Sequence, residues 1–207
     1  IAGVMIFAAG LTYRYLIGLL LIGLPLLSLA LWAAPYRRRR LLAFLDPWAD
    51  ARGIGYSLLR TTIHSSDFAS ASYTYVAEGD ASLASFDIAP DRRHRIPMIR
   101  AAIQAAGGQL TTYAGPWSAP GWMKDSGRMV QGGSLLPTFA PTWAQYITRF
   151  VQAYEQAGVP IWGLTVQSEP LARQTWESMI FSAEQERDFL RDHLGPTLAR
   201  AGLGSRK

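Results

Sequence analysis

The residues best suited to chemistry in this sequence close an apolar segment: Val159-Pro160-Ile161-Trp162-Gly163-Leu164-Thr165-Val166-Gln167-Ser168-Glu169-Pro170. Alternate residues of an extended chain point to opposite faces. Trp162, Leu164 and Val166 therefore share an oily face, and Gly163, Thr165, Gln167 and Glu169 a small or polar one. With helices against the oily face, the other points inward and Glu169 emerges at the carboxyl end of the strand, where a barrel of parallel strands keeps its chemistry. Taken alone, a Glu-Pro pair more often marks a solvated loop acid before a proline.

Two earlier segments bring further groups to the same level. Residues 58–63 read as a short strand, and Arg60-Thr61-Thr62-Ile63-His64-Ser65-Ser66-Asp67-Phe68 runs from it into a polar loop. Gln109-Leu110-Thr111-Thr112-Tyr113-Ala114 favours a strand and ends in Gly115-Pro116-Trp117-Ser118-Ala119-Pro120-Gly121-Trp122-Met123-Lys124, a loop stiffened by prolines. Successive strand ends thus carry Arg60 with Asp67 and Phe68, then Trp117, then Ser168 and Glu169. An indole face stacks on a sugar ring, Asp and Arg bind hydroxyls, and a carboxyl group acts as general acid, so the set fits a carbohydrate site. A structural Arg60–Asp67 ion pair is the competing reading.

The elements that must hold these loops are predicted from periodicity. Ile96, Ile99 and Ile103 recur at helical spacing before Gly107-Gly108. Trp143, Tyr146, Ile147, Phe150, Val151 and Tyr154 mark an amphipathic helix closed by Gly158 and Pro160, with the aromatics in the core. Ser182 with Gln185 three residues on forms a capping-box pattern for a last helix, whose Phe189, Leu190 and Leu194 face inward and which Gly195-Pro196 bends. Strand and helix alternate three times from Leu58, which predicts an α/β fold with a parallel sheet and right-handed crossovers.

Composition narrows the function. The chain has 207 residues, 49% hydrophobic, with no cysteine, so thiolate catalysis, thiolate metal sites and disulfides are excluded. His64, His94 and His193 are too scattered for a metal site. The net charge of +5 owes much to Arg37-Arg38-Arg39-Arg40, directly after an apolar run, which reads as a membrane flank rather than a nucleic-acid patch. No nucleic-acid partner is expected.

Residues 16–34 carry no charge over a length that crosses a bilayer, and residues 1–11 read as the tail of an earlier span. One or two membrane helices in residues 1–52 are therefore expected ahead of a domain over residues 53–207. The basic flank places that domain in the cytoplasm by the positive-inside rule. The segment 34–50, containing the arginines, Asp46-Pro47-Trp48 and Asp50, with Gly53-Ile54-Gly55-Tyr56 after it, resembles the FtsW/RodA family of membrane peptidoglycan polymerases. That resemblance implies the extracytoplasmic side and a proposed catalytic role for Asp50.

Gly53-Ile54-Gly55-Tyr56, the run from Arg60 to Phe68, Tyr73-Thr74-Tyr75, the loop from Pro116 to Lys124, Gly132-Gly133-Ser134-Leu135, the run from Trp162 to Pro170 and Glu186-Arg187-Asp188-Phe189-Leu190 together resemble glycoside hydrolase family 30, the glucosylceramidase family, over about residues 53–202. The resemblance implies a (β/α)8 TIM barrel, here partial with about three β/α units, and retaining hydrolysis of β-glucosidic or related linkages, as in a β-glucoside or glucosylceramide. It implies that Glu169 is the general acid/base, that Asp67, Phe68 and Trp117 surround the sugar, and that Arg60 is a buried partner. Ser168 stands where the family has the Asn of Asn-Glu-Pro, which bonds the sugar 2-hydroxyl. The nucleophile comes from a later strand in the family and is expected to be absent from this chain; Glu177, Glu184 and Glu186 read as helical and too near Glu169 to replace it. Two-carboxylate hydrolysis needs no metal or organic cofactor, and none is expected. A non-catalytic fragment that binds carbohydrate through Trp117 and Trp122 is the alternative.

Overall fold

The computed structural model describes residues 17–18, 21–26, 29, 33 and 55–207, and the chain falls into two units, Ile1–Tyr56 and Ser57–Lys207. In the second unit, β1 (Leu58–Ile63), β2 (Thr111–Pro116) and β3 (Gly163–Leu164) form a parallel sheet in the order β1-β2-β3. Arg60 stands beside Tyr113 and Tyr113 beside Gly163, while Thr62 stands beside Gly115. Neighbours in register project to the same face. One face therefore carries Arg60, Thr62, Tyr113, Gly115 and Gly163, and the opposite face carries Leu59, Thr61, Ile63, Ala114 and Leu164. The second of these meets the core, with Ile63 and Ala114 fully buried and Leu59 and Leu164 packed against the buried cluster.

Helices come after each strand. α1 (Ala89–Arg92) and α2 (Arg95–Ala105) lie between β1 and β2, and α3 (Ala140–Gln156) between β2 and β3. After β3 come α4 (Ala183–Phe189), a π-turn at Leu190–Leu194 and α5 (Gly195–Arg200). Every aromatic and aliphatic residue predicted for the α3 core face is buried. Ser182 and Gln185 make the reciprocal capping box at the start of α4.

Three expectations need correction. β3 is two residues long rather than running through the apolar segment from Val159 toward Glu169, because its regular pairing with β2 covers only Tyr113 to Gly163 and Ala114 to Leu164. Single bonds from Trp162 and Thr165 N–H groups to Thr112 and Ala114 carbonyls continue the line beside it. Trp162 is 53% exposed, since it sits at the strand's entrance before Leu164 and Val166 reach the core. Leu190 is exposed while Phe189 and Leu194 are buried. The cause is the π-turn: Pro196 has no N–H for the helical ladder, and the widened turn ahead of it shifts the buried stripe. Gly195 lets the chain pass there, because a Cβ would sit 2.9 Å from the Leu190 carbonyl oxygen.

Two tethers stand out. Asp91, 1% exposed, accepts hydroxyl hydrogens from Tyr73 (2.5 Å), Tyr154 (2.6 Å) and Tyr75, and pairs with Arg95 at 3.2 Å. It thereby fastens the irregular segment after β1 to α3. On the outer edge of β3, the Lys207 N–H donates to the Trp162 carbonyl (3.1 Å) and its carbonyl accepts from Leu164 (2.8 Å).

In the first unit the described residues of segment 17–33 are helical, with Ile17, Leu21, Ile22, Leu24, Leu26 and Leu29 exposed. Among the described residues no helix is long and apolar enough to cross a membrane. Much of segment 16–34, the cluster at 37–40 and Asp50 lie outside the described residues.

Candidate active site

One cation joins β1 to the segments that follow β2 and β3. The Arg60 guanidinium, projecting from β1, hydrogen-bonds the Ser168 hydroxyl after β3 and lies 5.6 Å from the centre of the Trp117 ring after β2. Contact of this kind with an aromatic face is attractive through the ring quadrupole. Arg60 is exposed rather than buried, because Thr62, Gly115 and Thr165 on its face are too small to cover it. Its partner is Ser168 and not Asp67, so the structural ion pair does not form. Gly115 is required for this packing, since a Cβ there would meet Thr165 Oγ1 at 1.9 Å and lie 3.7 Å from the guanidinium.

Trp117 is 6% exposed and its Nε1–H has no acceptor among the described residues. Its carbonyl accepts from Gln167 Nε2 at 2.8 Å, and the Ser168 N–H donates to the Pro116 carbonyl at 2.9 Å. The loops after β2 and β3 are thus tied together immediately before Glu169.

Glu169 is exposed and has φ of 47°, a left-handed conformation rare outside glycine and one that turns the chain sharply at the strand end. Its carbonyl accepts from the Ala172 N–H at 2.9 Å, and its Oε2 accepts from Gln174 Nε2 at 3.3 Å. Asp67 is exposed in the loop after β1. What shelter that loop gives, and then the nearby Glu169 charge, push its carboxyl above the usual range, while Arg60 pulls the other way. Phe68 beside it is 85% exposed.

The structure therefore brings Arg60, Trp117 and Ser168 into direct contact, with Glu169 adjoining and Asp67 within reach of its charge. Trp122 does not join them; it packs edge-on against Phe139 at 5.1 Å. Glu184 and Glu186 are helical as expected, but Glu177 is buried in an extended segment bridged to Val130. Among the described residues no three His, Asp or Glu side chains stand together as a metal site would need.

Sequence reasoning passed over three residues. Gln174 holds the Glu169 carboxylate. His64 and Lys124 are buried against Ser118, the residue after Trp117. A lone lysine between Met123 and Asp125 in an aromatic loop was a legible signal; Gln174 and His64 had none, because their partners are distant in sequence or lie across a turn.

Residues 38–206 match the glycosyl hydrolase family 30 TIM-barrel domain, and residues 1–67 match a second family, the FtsW/RodA/SpoVE cell cycle proteins. The lysosomal acid glucosylceramidase of Mus musculus is 32% identical over 167 residues, covering 76% of this chain and 32% of that protein. The crystal structure of SrfJ from Salmonella typhimurium superposes with a TM-score of 0.74 at 33% identity, over 79% of this chain and 37% of that one. The endo-β1,6-glucanase BT3312 superposes with a TM-score of 0.70 at 28% identity, over 84% and 39%. The chain spans roughly a third of the length of these relatives.

Proposed function

Because the chain belongs to glycosyl hydrolase family 30, we propose that its three β/α units carry the acid/base half of a retaining β-glycosidase site of the glucosylceramidase type. The observation that supports this reading most is the convergence of Arg60 from β1 with Trp117 and Ser168 from the segments after β2 and β3, directly before Glu169. In this reading the sugar ring lies against Trp117, with Asp67 accepting from its hydroxyls and Phe68 flanking it. Glu169 donates a proton to the glycosidic oxygen as the bond to the anomeric carbon breaks. It then takes one from the water that attacks the glycosyl-enzyme intermediate. Gln174 restrains the carboxylate between these two roles. Retention needs a second carboxylate about 5 Å away, which comes from a later strand of a complete barrel, outside these three units.

Ser168 departs from the family pattern, and its hydroxyl is engaged with Arg60. We take Arg60, held there, to be the donor on that side of the sugar. The substrate class is a β-glucoside, with glucosylceramide and β-1,6-glucan as the natural forms that the names of the relatives point to.

The test is Glu169→Gln in the protein that turns over an aryl β-glucoside. Turnover is expected to fall by about 10²–10⁴-fold, and more steeply for an alkyl glucoside, whose poorer leaving group depends more on protonation. Unchanged turnover overturns the assignment.

A second reading concerns the amino-terminal unit. The match over residues 1–67 and the uncharged segment 16–34 support a membrane attachment of the FtsW/RodA type. Release of the protein from membranes by alkaline carbonate would contradict it. A polymerase role for Asp50 rests on the same match and predicts loss of lipid II polymerisation in Asp50→Ala.

A further inference from the structure

We propose that His64 and Lys124 are positioning residues that fix the Trp117 platform by clamping Ser118, the next residue in the chain. The inference rests on the reading of Trp117 as the surface that meets the sugar.

Ser118 is fully buried. Its carbonyl lies 2.7 Å from His64 Nε2, and its hydroxyl accepts from Lys124 Nζ at 2.9 Å while donating to the Ala119 carbonyl at 2.8 Å. A carbonyl only accepts, so Nε2 carries the imidazole proton and Nδ1 is left as an acceptor. The Tyr146 hydroxyl fills it at 2.8 Å, and that hydroxyl oxygen in turn receives the Tyr75 N–H at 2.8 Å. The network is satisfied with neutral imidazole and with no other tautomer. Trp143 packs 6.0 Å from the imidazole, holding the ring plane.

Lys124 completes the clamp from the other side. Its three N–H groups meet Ser118 Oγ, the Ser178 carbonyl (2.7 Å) and the Met129 carbonyl (3.3 Å). Ser118 is therefore held from the end of β1 by His64 and from the segments at 129 and 178 by Lys124. The carbonyl of Trp117 itself is held from the end of β3 by Gln167. With the indole N–H free of any acceptor among the described residues, these main-chain anchors fix where the ring starts and the Arg60 guanidinium 5.6 Å from its centre bears on its face.

Two isosteric variants separate positioning from packing. His64→Gln carries an N–H to about the place of Nε2 and keeps the bond to the Ser118 carbonyl, but loses the acceptor for Tyr146. His64→Asn keeps an acceptor near Nδ1 and loses the bond to Ser118. The readouts are the Trp117 Nε1–H resonance, assigned with Trp117→Phe, and affinity for methyl β-D-glucoside by chemical-shift titration, with melting temperature tracked in parallel. His64→Gln should keep the resonance and the affinity; His64→Asn and Lys124→Met should shift the resonance and weaken binding about tenfold. An unmoved resonance in His64→Asn, or equal shifts in the two His64 variants, overturns the His64 arm. Ser118→Ala, which removes the Lys124 acceptor together with the local bond to the Ala119 carbonyl and leaves the Ser118 carbonyl to His64, decides the Lys124 arm if Lys124→Met fails to fold: an unmoved resonance overturns it. A wild-type protein that binds no glucoside overturns the sugar reading, while the resonance still decides the clamp.

Discussion

The site depends on residues that are small as much as on those that are reactive. Arg60 reaches Ser168 because Gly115 and Thr165 leave room beneath it. Gly115→Ala would force a Cβ to 1.9 Å from Thr165 Oγ1, and overpacking of this sort costs about 1–3 kcal/mol. Urea denaturation should show that loss, and Thr165→Ala in the same chain should recover most of it, since the clash is with the hydroxyl. Two independent effects that simply add would contradict the packing described. The meeting of Trp117 and Ser168 beside Glu169 was legible because they follow β2 and β3 and the alternation of faces fixes the direction, and Arg60 lies on the same face within β1, three residues before its end. His64 was not, because the acceptor that defines it, the Ser118 carbonyl, lies 54 residues away; Lys124 gave a signal as a lone lysine in an aromatic loop, but the Ser178 carbonyl it binds also lies 54 residues away.

At the level of elements, a strong period translated directly into structure. α3 repeats its aromatic positions over 17 residues, and every one of them is buried. β3 was over-read because an apolar run fixes the direction of a strand but not how much of it finds a partner, and Pro160 cannot donate to a ladder. The turn at Leu190 was under-read because Gly195-Pro196 announces a bend without saying that a widened turn absorbs it. The junction between the segment after β1 and α3 depends on Asp91. Asp91→Ala removes the acceptor of three tyrosine hydroxyls and the partner of Arg95. Such a loss of one buried partner is destabilising by about 3–5 kcal/mol, measurable as a lower denaturation midpoint with α3 helicity retained until global unfolding. A change below about 1 kcal/mol would mean that water replaces the carboxylate.

For the whole molecule, His64 couples stability to acidity. Burial lowers its pKa from 6.5 to about 4, against the attraction of Glu177 and Asp91 and with the repulsion of Arg95. The unfolded chain therefore binds a proton that the folded one refuses. The stability this group contributes is complete above pH 6.5, declines as pH falls and is gone below about 4, a change on the order of 3 kcal/mol. His64→Gln should flatten that part of the pH–stability curve between pH 7 and 4; an unaltered slope would assign it to carboxylates instead. The alternation of strand and helix announced the α/β core, and the resemblance to family 30 implied about three β/α units; the chain spans roughly a third of the length of its relatives.

The Asp91 knot also governs how the molecule opens. Tyr73 and Tyr75 belong to the irregular segment that also bears Asp67 and Phe68, while Tyr154 belongs to α3. Because all three hydroxyls share one carboxylate, detaching that segment strips two bonds from the group that also holds α3. Amide hydrogens such as those of His64 and Tyr75, bonded to tyrosine hydroxyls, should then exchange with solvent deuterium together with the α3 backbone, in one cooperative unit.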